Sequence, residues 1–535
     1  MTVAGLLIDT LVANGVSRMF GNPGTTELAL VRECRDTDKL DYIVAPSGIA
    51  AAAMADGYGR ARRGLSAVNL HAGPGLGNAM GALYTAATTN NPVLAVIGQQ
   101  DTRHLHVEPP LYGDLAGTAR TVLKAAFEMP DAASAGFIIR RAIRTAMTAP
   151  MGPVALICPM DVMEQECPDE AVRVTVPTLG GVSRREAAQI ASFLHGATSP
   201  AIVAADEVYW DGACDRLEQV AEATGAAVYI APFTGVLPIS SVHPRSRGFL
   251  PPSTAGFAAR LEGHDRILFL GGYRLRSVLY SEGQLAQAKM WLGSDPRLLA
   301  EHGEYELAKL CDIGSALDEL FSALSPREHA GQRPQSAARP SIVPDGLATS
   351  AVGMHPTVAV REVMSWAVGA TIIDESGLSN SDVRALMDAP AGAYFSNGSG
   401  GLGWGLPAAV GAGFARDGRV VAIIGDGSAL YSAEVLWTAT RYDISLDVIL
   451  LANGRYATLD AGNSKLTKSA DKLAHFSLEP APDFGGLARL YHWEYERVED
   501  AGALSRLLKA NSTGRRLIEV AVDPDAVPVT ADDHF

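Results

Sequence analysis

Residues Val420–Asn453 read VVAIIGDGSALYSAEVLWTATRYDISLDVILLAN, and the rest of the chain is best read outward from this stretch. An unbroken apolar run, VVAII, ends in Gly425-Asp426-Gly427-Ser428. A helical stretch follows, and a second run, VILLA, ends at Asn453. Runs without polar alternation are strands covered on both faces, and a helix between two of them makes them parallel neighbours. Such neighbours release their C-terminal ends on one edge of a sheet, where α/β folds bind ligands.

The same rhythm of short apolar run, turn and Ala-rich helix recurs at Leu65–Leu70, Pro92–Ile97, Pro153–Ile157, Ala201–Ala205, Arg266–Leu270, Thr371–Asp374 and Leu517–Val522. One sheet cannot absorb this many strands. The predicted fold is therefore α/β, with three domains of parallel sheets flanked by helices. A chain of 535 residues has room for them. Cys167–Val182 is punctuated by Pro and Gly, and Ser325–Ala351 is polar and Pro-rich. These breaks predict domains over 1–170, 183–325 and 352–535, with a linker over 326–351.

Composition excludes other classes. The 44 Lys and Arg against 59 Asp and Glu give a formal charge of −15 with no basic tract, which suits no nucleic-acid partner. No run approaches about 18 apolar residues, so no membrane span is expected. The N-terminal MTVAGLLIDTLVANGV carries Asp9 inside its apolar run and reads as an amphipathic helix, not a signal peptide. The 5 cysteines have no CxxC spacing, which speaks against zinc or a disulfide framework and for a cytoplasmic location.

The glycines of Gly425-Asp426-Gly427-Ser428 admit a ligand close to the backbone. The helix start that follows offers free N–H groups to a phosphate. Asp426 beside a phosphate would repel it unless a divalent cation lay between. The carboxylate of Asp426, the amide oxygen of Asn453 and a carbonyl near Arg455 would give Mg²⁺ three hard oxygen ligands. Gly-Asp-Gly alone also suits an ordinary turn; its place between two such strands favours the site.

This arrangement resembles the thiamine-diphosphate motif, and other segments agree with it: GNPGTTELAL (21–30), ADGYGRA (55–61), NLHAGPGLGNAMGAL (69–83), NPVLAVIGQQ (91–100), GPVALICPMDV (152–162) and GGLGWGLPAAVGA (400–412). Together they span nearly the whole chain, which resembles the acetolactate synthase/benzoylformate decarboxylase group, most closely the latter. The resemblance implies pyrimidine-binding, central and diphosphate-binding domains in that order. It implies thiamine diphosphate and Mg²⁺ as cofactors, a homodimer as the minimal active unit, and usually a homotetramer. The implied activity is decarboxylation or carboligation of a small 2-oxo acid or aldehyde. An aldehyde lyase or carboligase that releases no carbon dioxide, and a cofactor-binding homologue without turnover, are the alternatives. By position, Asp426, Asn453 and the Arg455 carbonyl would hold the metal. Gly377, Leu378, Gly425, Gly427, Ser428 and Tyr456 would line the diphosphate side. The Gly400 carbonyl would meet the aminopyrimidine, and Leu402 would hold the cofactor bent. His71 would transfer protons, and Thr25 would meet the substrate carboxylate. The central domain resembles one that binds FAD in some relatives, but no feature here requires it. A nicotinamide or flavin oxidoreductase is a weaker reading, since Gly73-Pro74-Gly75-Leu76-Gly77 is only loosely GxGxxG-like and lacks the acid such a motif needs downstream.

The pattern breaks in places. The family's pyrimidine-domain glutamate falls at Gly48, in Ala45-Pro46-Ser47-Gly48-Ile49, with no acidic neighbour in sequence. Slower cofactor activation, replacement by water or Ser47, or loss of catalysis would each follow from that. A second active-site histidine falls near Val278, and the first Asn of the usual Asn-Asn pair is Ala452. His104 and His106 fit a surface loop better than a proton-donating one. The polar stretch Asp460–Pro482 fits either a mobile lid or a plain surface loop.

Overall fold

A computed structural model describes residues 1–272, 279–297, 304–324, 347, 350, 353–469, 471–510 and 514–530. The expected linker 326–351, apart from 347 and 350, and the position of Val278 lie outside the described residues.

Among the described residues, eighteen strands form three sheets of six. The first holds β1 (Arg18–Asn22), β2 (Asp41–Val44), β3 (Ser66–Leu70), β4 (Val93–Gln99), β5 (Ala125–Glu128) and β6 (Val154–Pro159), in the order β2-β1-β3-β4-β6-β5. The second holds β7 (Pro200–Ala204), β8 (Ala227–Ile230), β9 (Ser246–Phe249), β10 (Arg266–Leu270), β11 (Ala288–Gly293) and β12 (Leu307–Leu310), in the order β12-β11-β10-β7-β8-β9. The third holds β13 (Thr371–Glu375), β14 (Tyr394–Ser396), β15 (Val420–Gly425), β16 (Leu446–Ala452), β17 (Glu494–Val498) and β18 (Arg515–Ala521), in the order β14-β13-β15-β16-β18-β17. The sheets are parallel and flanked by helices, the expected fold class. Inner strands such as β3, β4 and β6 are buried along their whole length, because helices cover both faces.

Two compact units form, and they do not follow chain order. One gathers residues 1–178, 397–420 and 429–446; the other gathers 179–396, 421–428 and 447–535.

In the first unit, helix Gly48–Arg62 (GIAAAAMADGYGRAR) is buried over most of its length. Small residues let its backbone touch that of helix Gly405–Gly413: a Cβ on Gly57 would strike the Ala408 carbonyl, and one on Gly411 would strike that of Met54. The ADGYGRA motif proves structural. Asp56 and Arg60 are wholly buried and paired at 2.7 Å, Asn91 and the Trp404 indole also donate to Asp56, and the guanidinium lies over the Trp404 ring. A buried ion pair needs such added hydrogen bonds to offset its desolvation.

In the second unit, the segment after β8 joins the third sheet: Leu237 N–H donates to the Tyr394 carbonyl and Ser396 N–H to that of Gly235. At the end of β7, Asp206 accepts from the Gly235 and Val236 amides. Its neighbour Glu207 accepts from the Gly272 amide and keeps one oxygen buried with no partner among the described residues. Burial pushes the Glu207 carboxyl from 4.5 up to about 8, with Asp206 and Asp211 adding to the rise. The unfolded chain releases this proton near pH 4.5 and the folded chain holds it to about 8. The folded state thus binds more protons in that window, and stability falls as pH rises through it, by on the order of 5 kcal/mol. Glu207→Gln should remove that slope and raise the urea midpoint at pH 8 while changing little at pH 5. An unchanged slope would disprove the assignment.

Among the described residues no helix is long and apolar enough to cross a membrane, and all five cysteines are free.

Candidate active site

The candidate residues divide between the two units, and each group stands on its own geometry.

In the second unit, the register of β15 on β16 pairs Gly425 with Leu451. Asp426 and Asn453 therefore emerge at neighbouring strand tips. The Asp426 carboxylate accepts from the Gly427 amide at 2.8 Å and from the Gly454 amide at 2.7 Å, which ties the two tips together. The Asn453 amide oxygen accepts from Arg455 N–H at 2.9 Å and keeps a second lone pair. Asp426 is 4% exposed, and burial pushes its carboxyl from 3.8 up to about 6. Ionised at neutral pH, it is a desolvated charge that a bound cation would offset.

Three loops meet here. A Cβ on Gly425 would come within 3.9 Å of the Glu375 carbonyl at the end of β13, and one on Gly427 would come within 2.5 Å of the Tyr456 ring. Gly427 is therefore required by the ring beside it. Gly377 takes φ +59°, a backbone shape that favours glycine. Leu378 packs with Leu279, Ala457 and Ala461. The stretch expected as a loop from Asp460 begins inside helix Ala457–Thr467, exposed or half-exposed along its length. Its polar composition hid the helix. Arg455 anchors the segment by pairing with Asp460 at 2.7 Å, and Tyr456 N–H donates to the Phe476 carbonyl.

These residues fit a divalent cation with a diphosphate. Among the described residues no group of three or more His, Cys, Asp or Glu is placed to hold a metal ion. A cation at this tip would rest on one carboxylate, one amide oxygen and one carbonyl, leaving positions for phosphate oxygens. That is a donor set for Mg²⁺.

In the first unit, β3 ends at Leu70 and His71 stands at the start of helix Ala72–Thr88. Ala72 takes φ +45°, a strained shape for a residue with a side chain, and the sharp turn sets the imidazole. His71 Nδ1 lies 2.9 Å from a carboxylate oxygen of Glu27 and 3.1 Å from the Thr26 hydroxyl. The Glu27 side chain is 1% exposed and also accepts from the Gly24 amide and the Thr26 hydroxyl. Glycines make the room: a Cβ on Gly24 would strike the His71 ring, and one on Gly98 would strike Glu27. Thr25 is exposed, and its side chain enters no hydrogen bond among the described residues.

Sequence reasoning passed over Glu27 and Thr26. The available signal was an acid within the Gly/Pro-rich GNPGTTEL loop, but only the fold brings it to His71. His104 and His106 lie in the short 3₁₀ turn Thr102–Val107. Gly400 is exposed with φ +80°, and a Cβ there would meet nothing within 4 Å. Leu402 is half-buried. Asn397 braces this loop through the Gly400 amide and the Gly401 carbonyl.

Comparison with known proteins gives three family matches in chain order. The thiamine pyrophosphate enzyme N-terminal TPP binding domain matches residues 1–131, the central domain 187–320, and the C-terminal TPP binding domain 377–520. Benzoylformate decarboxylase of Pseudomonas aeruginosa is 31% identical over 95% of this chain and 97% of its own. Acetolactate synthase of Arthrospira platensis is 25% identical over 100% and 96%. The solved structure of a thiamine diphosphate-dependent 4-hydroxybenzoylformate decarboxylase from Rhodococcus jostii RHA1 superposes with a TM-score of 0.90 at 30% identity, over 98% of this chain and 100% of that one.

Proposed function

Because the chain belongs to the thiamine pyrophosphate enzyme family, we propose that it is a Mg²⁺- and thiamine-diphosphate-dependent 2-oxo acid decarboxylase or carboligase. We take residues 1–170 as its pyrimidine-binding domain, 183–325 as its central domain and 352–535 as its diphosphate-binding domain. The working unit in this reading is a homodimer, usually paired into a homotetramer. The observation that carries the proposal is the pairing of Gly425 with Leu451, which sets Asp426 and Asn453 at adjacent strand ends.

In this reading Asp426, Asn453 and the Arg455 carbonyl hold Mg²⁺. Gly377, Leu378, Gly425, Gly427, Ser428 and Tyr456 close on the diphosphate. Gly400 and Leu402 receive the aminopyrimidine end. Bound there, thiamine diphosphate supplies a carbon nucleophile and an electron sink for cleavage beside a carbonyl. The Glu27 carboxylate on Nδ1 makes that nitrogen the donor and leaves His71 Nε2 to hold or deliver a proton. Thr25 offers a hydroxyl to the substrate carboxylate.

The test is product analysis with benzoylformate, pyruvate and glyoxylate, with and without an acceptor aldehyde. Carbon dioxide should be released, with an aldehyde as product alone and a 2-hydroxy ketone when the acceptor is present. His71→Ala and Glu27→Gln should each slow aldehyde release by about 10- to 100-fold, with cofactor affinity little changed. Turnover of aldehydes without carbon dioxide would favour the lyase alternative. Tight cofactor binding with no product from any substrate would favour a homologue without turnover.

A further inference from the structure

The first turn of helix Gly48–Arg62 has no acid of its own, yet it receives one from a segment far along the chain. Ser47 caps the helix: its hydroxyl accepts from Ala50 N–H at 3.3 Å and donates to a carboxylate oxygen of Glu434 at 2.6 Å. A bond this short is of the charge-assisted kind. Glu434 stands at the N-cap of helix Val435–Arg441 but makes no side-chain cap there, so its carboxylate is given over to Ser47.

The other acids near this end of the unit are already committed. Glu27 serves His71, Thr26 and Gly24, and Asp56 serves Arg60, Asn91 and Trp404. The loop that carries Gly400 and Leu402 reaches the same turn: a Cβ on Gly403 would lie 3.2 Å from the Ile49 side chain and 2.7 Å from Tyr431. Glu434 therefore joins Ser47 where that loop meets the helix start.

We propose that Ser47 and Glu434 form the proton-holding pair for N1′ of the aminopyrimidine, in place of a carboxylate at position 48. This rests on the thiamine-diphosphate reading above. Ser47 Oγ is the group that meets N1′, and Glu434 is a positioning residue that acts through it. Because Ser47 donates to the Glu434 carboxylate, a proton on N1′ would pass to Ser47 Oγ as the serine gives its own to Glu434, and the reverse transfer would return it to N1′. No other reactant is needed.

The experiment compares thiamine diphosphate with its 1′-deaza analogue, which keeps the ring but lacks the nitrogen. Each is titrated by calorimetry with Mg²⁺ into the full chain, and exchange of the cofactor C2 proton is followed in parallel. The wild-type chain should bind the parent at least about 10-fold more tightly than the analogue. Glu434→Gln and Ser47→Ala should each bring the two within about 2-fold, by weakening the parent alone, while Glu434→Asp should keep part of the preference. A purely structural role would weaken both ligands alike. If the preference persists in both Glu434→Gln and Ser47→Ala, or if both ligands weaken together, the pair is not the proton holder. If the wild-type chain binds neither ligand, the thiamine-diphosphate reading fails first and this proposal with it.

Discussion

Asp426→Ala should lose at least about 10³-fold in Mg²⁺-dependent affinity for thiamine diphosphate. The carboxylate is 4% exposed and joins two strand tips through the Gly427 and Gly454 amides. Removing one partner of a buried charge pair typically costs about 3–5 kcal/mol, and about 4 kcal/mol corresponds to that factor. Asp426→Asn separates charge from shape. The two backbone bonds go to different carboxylate oxygens, so the single amide oxygen keeps one of them; relief of a desolvated carboxylate offsets the loss of the other, and the metal-free protein should stay about as stable as wild type. Its Mg²⁺-dependent affinity should nonetheless fall with that of the alanine variant. Calorimetry with and without Mg²⁺, beside thermal midpoints of the metal-free proteins, checks both halves. If Asp426→Asn binds within threefold of wild type, the metal does not rest on this carboxylate.

Restoring an acid by Gly48→Glu should damage the protein without raising its activity. A Cβ at this position would stand 2.7 Å from the Gly75 carbonyl oxygen and 3.3 Å from Asn78 Cβ. The nearest atom is backbone in helix Ala72–Thr88, the helix that His71 begins, so it cannot swing aside. Forcing atoms into such a contact costs about 1–3 kcal/mol and shifts backbone. Gly48→Ala carries the same Cβ without the charge and should show most of the same loss of stability. Thermal midpoints of the two variants, with initial rates on the best substrate, decide it. A Gly48→Glu chain as stable as wild type and several-fold faster would show that the gap in the family pattern is a simple omission. Crowding at 48 also explains why an acid would have to come from elsewhere.

How much was legible in the sequence follows the burial of each strand. Every strand read from the sequence, among them β3, β4, β6, β7, β10, β15 and β16, lies inside its sheet. Helices on both faces force unbroken apolar runs there. The strands that were missed include all six sheet edges: β2, β5, β9, β12, β14 and β17. β17 reads EYERV and β12 reads LAKL, half-exposed patterns with no run to find. Helix Ala457–Thr467 escaped for a related reason, since a helix that buries none of its residues shows no apolar stripe.

The site divides along the same line. Asp426 and Asn453 could be read because each ends an apolar run, and the parallel rule then makes them neighbours. No spacing rule joins Glu27 to His71 or Ser47 to Glu434, because those contacts close over 44 and 387 residues. Sequence by itself determined the layered α/β architecture and the place of Asp426 and Asn453 at neighbouring strand tips, since both follow from local runs and the turns that end them, and its motifs carried the resemblance to the thiamine pyrophosphate enzyme family. Tertiary structure alone decided which acid faces the histidine, which acid reaches the helix that lacks one, and why Gly48 has no room for a side chain. Those are outcomes of packing between segments far apart in the chain, where distance in space is independent of distance in sequence.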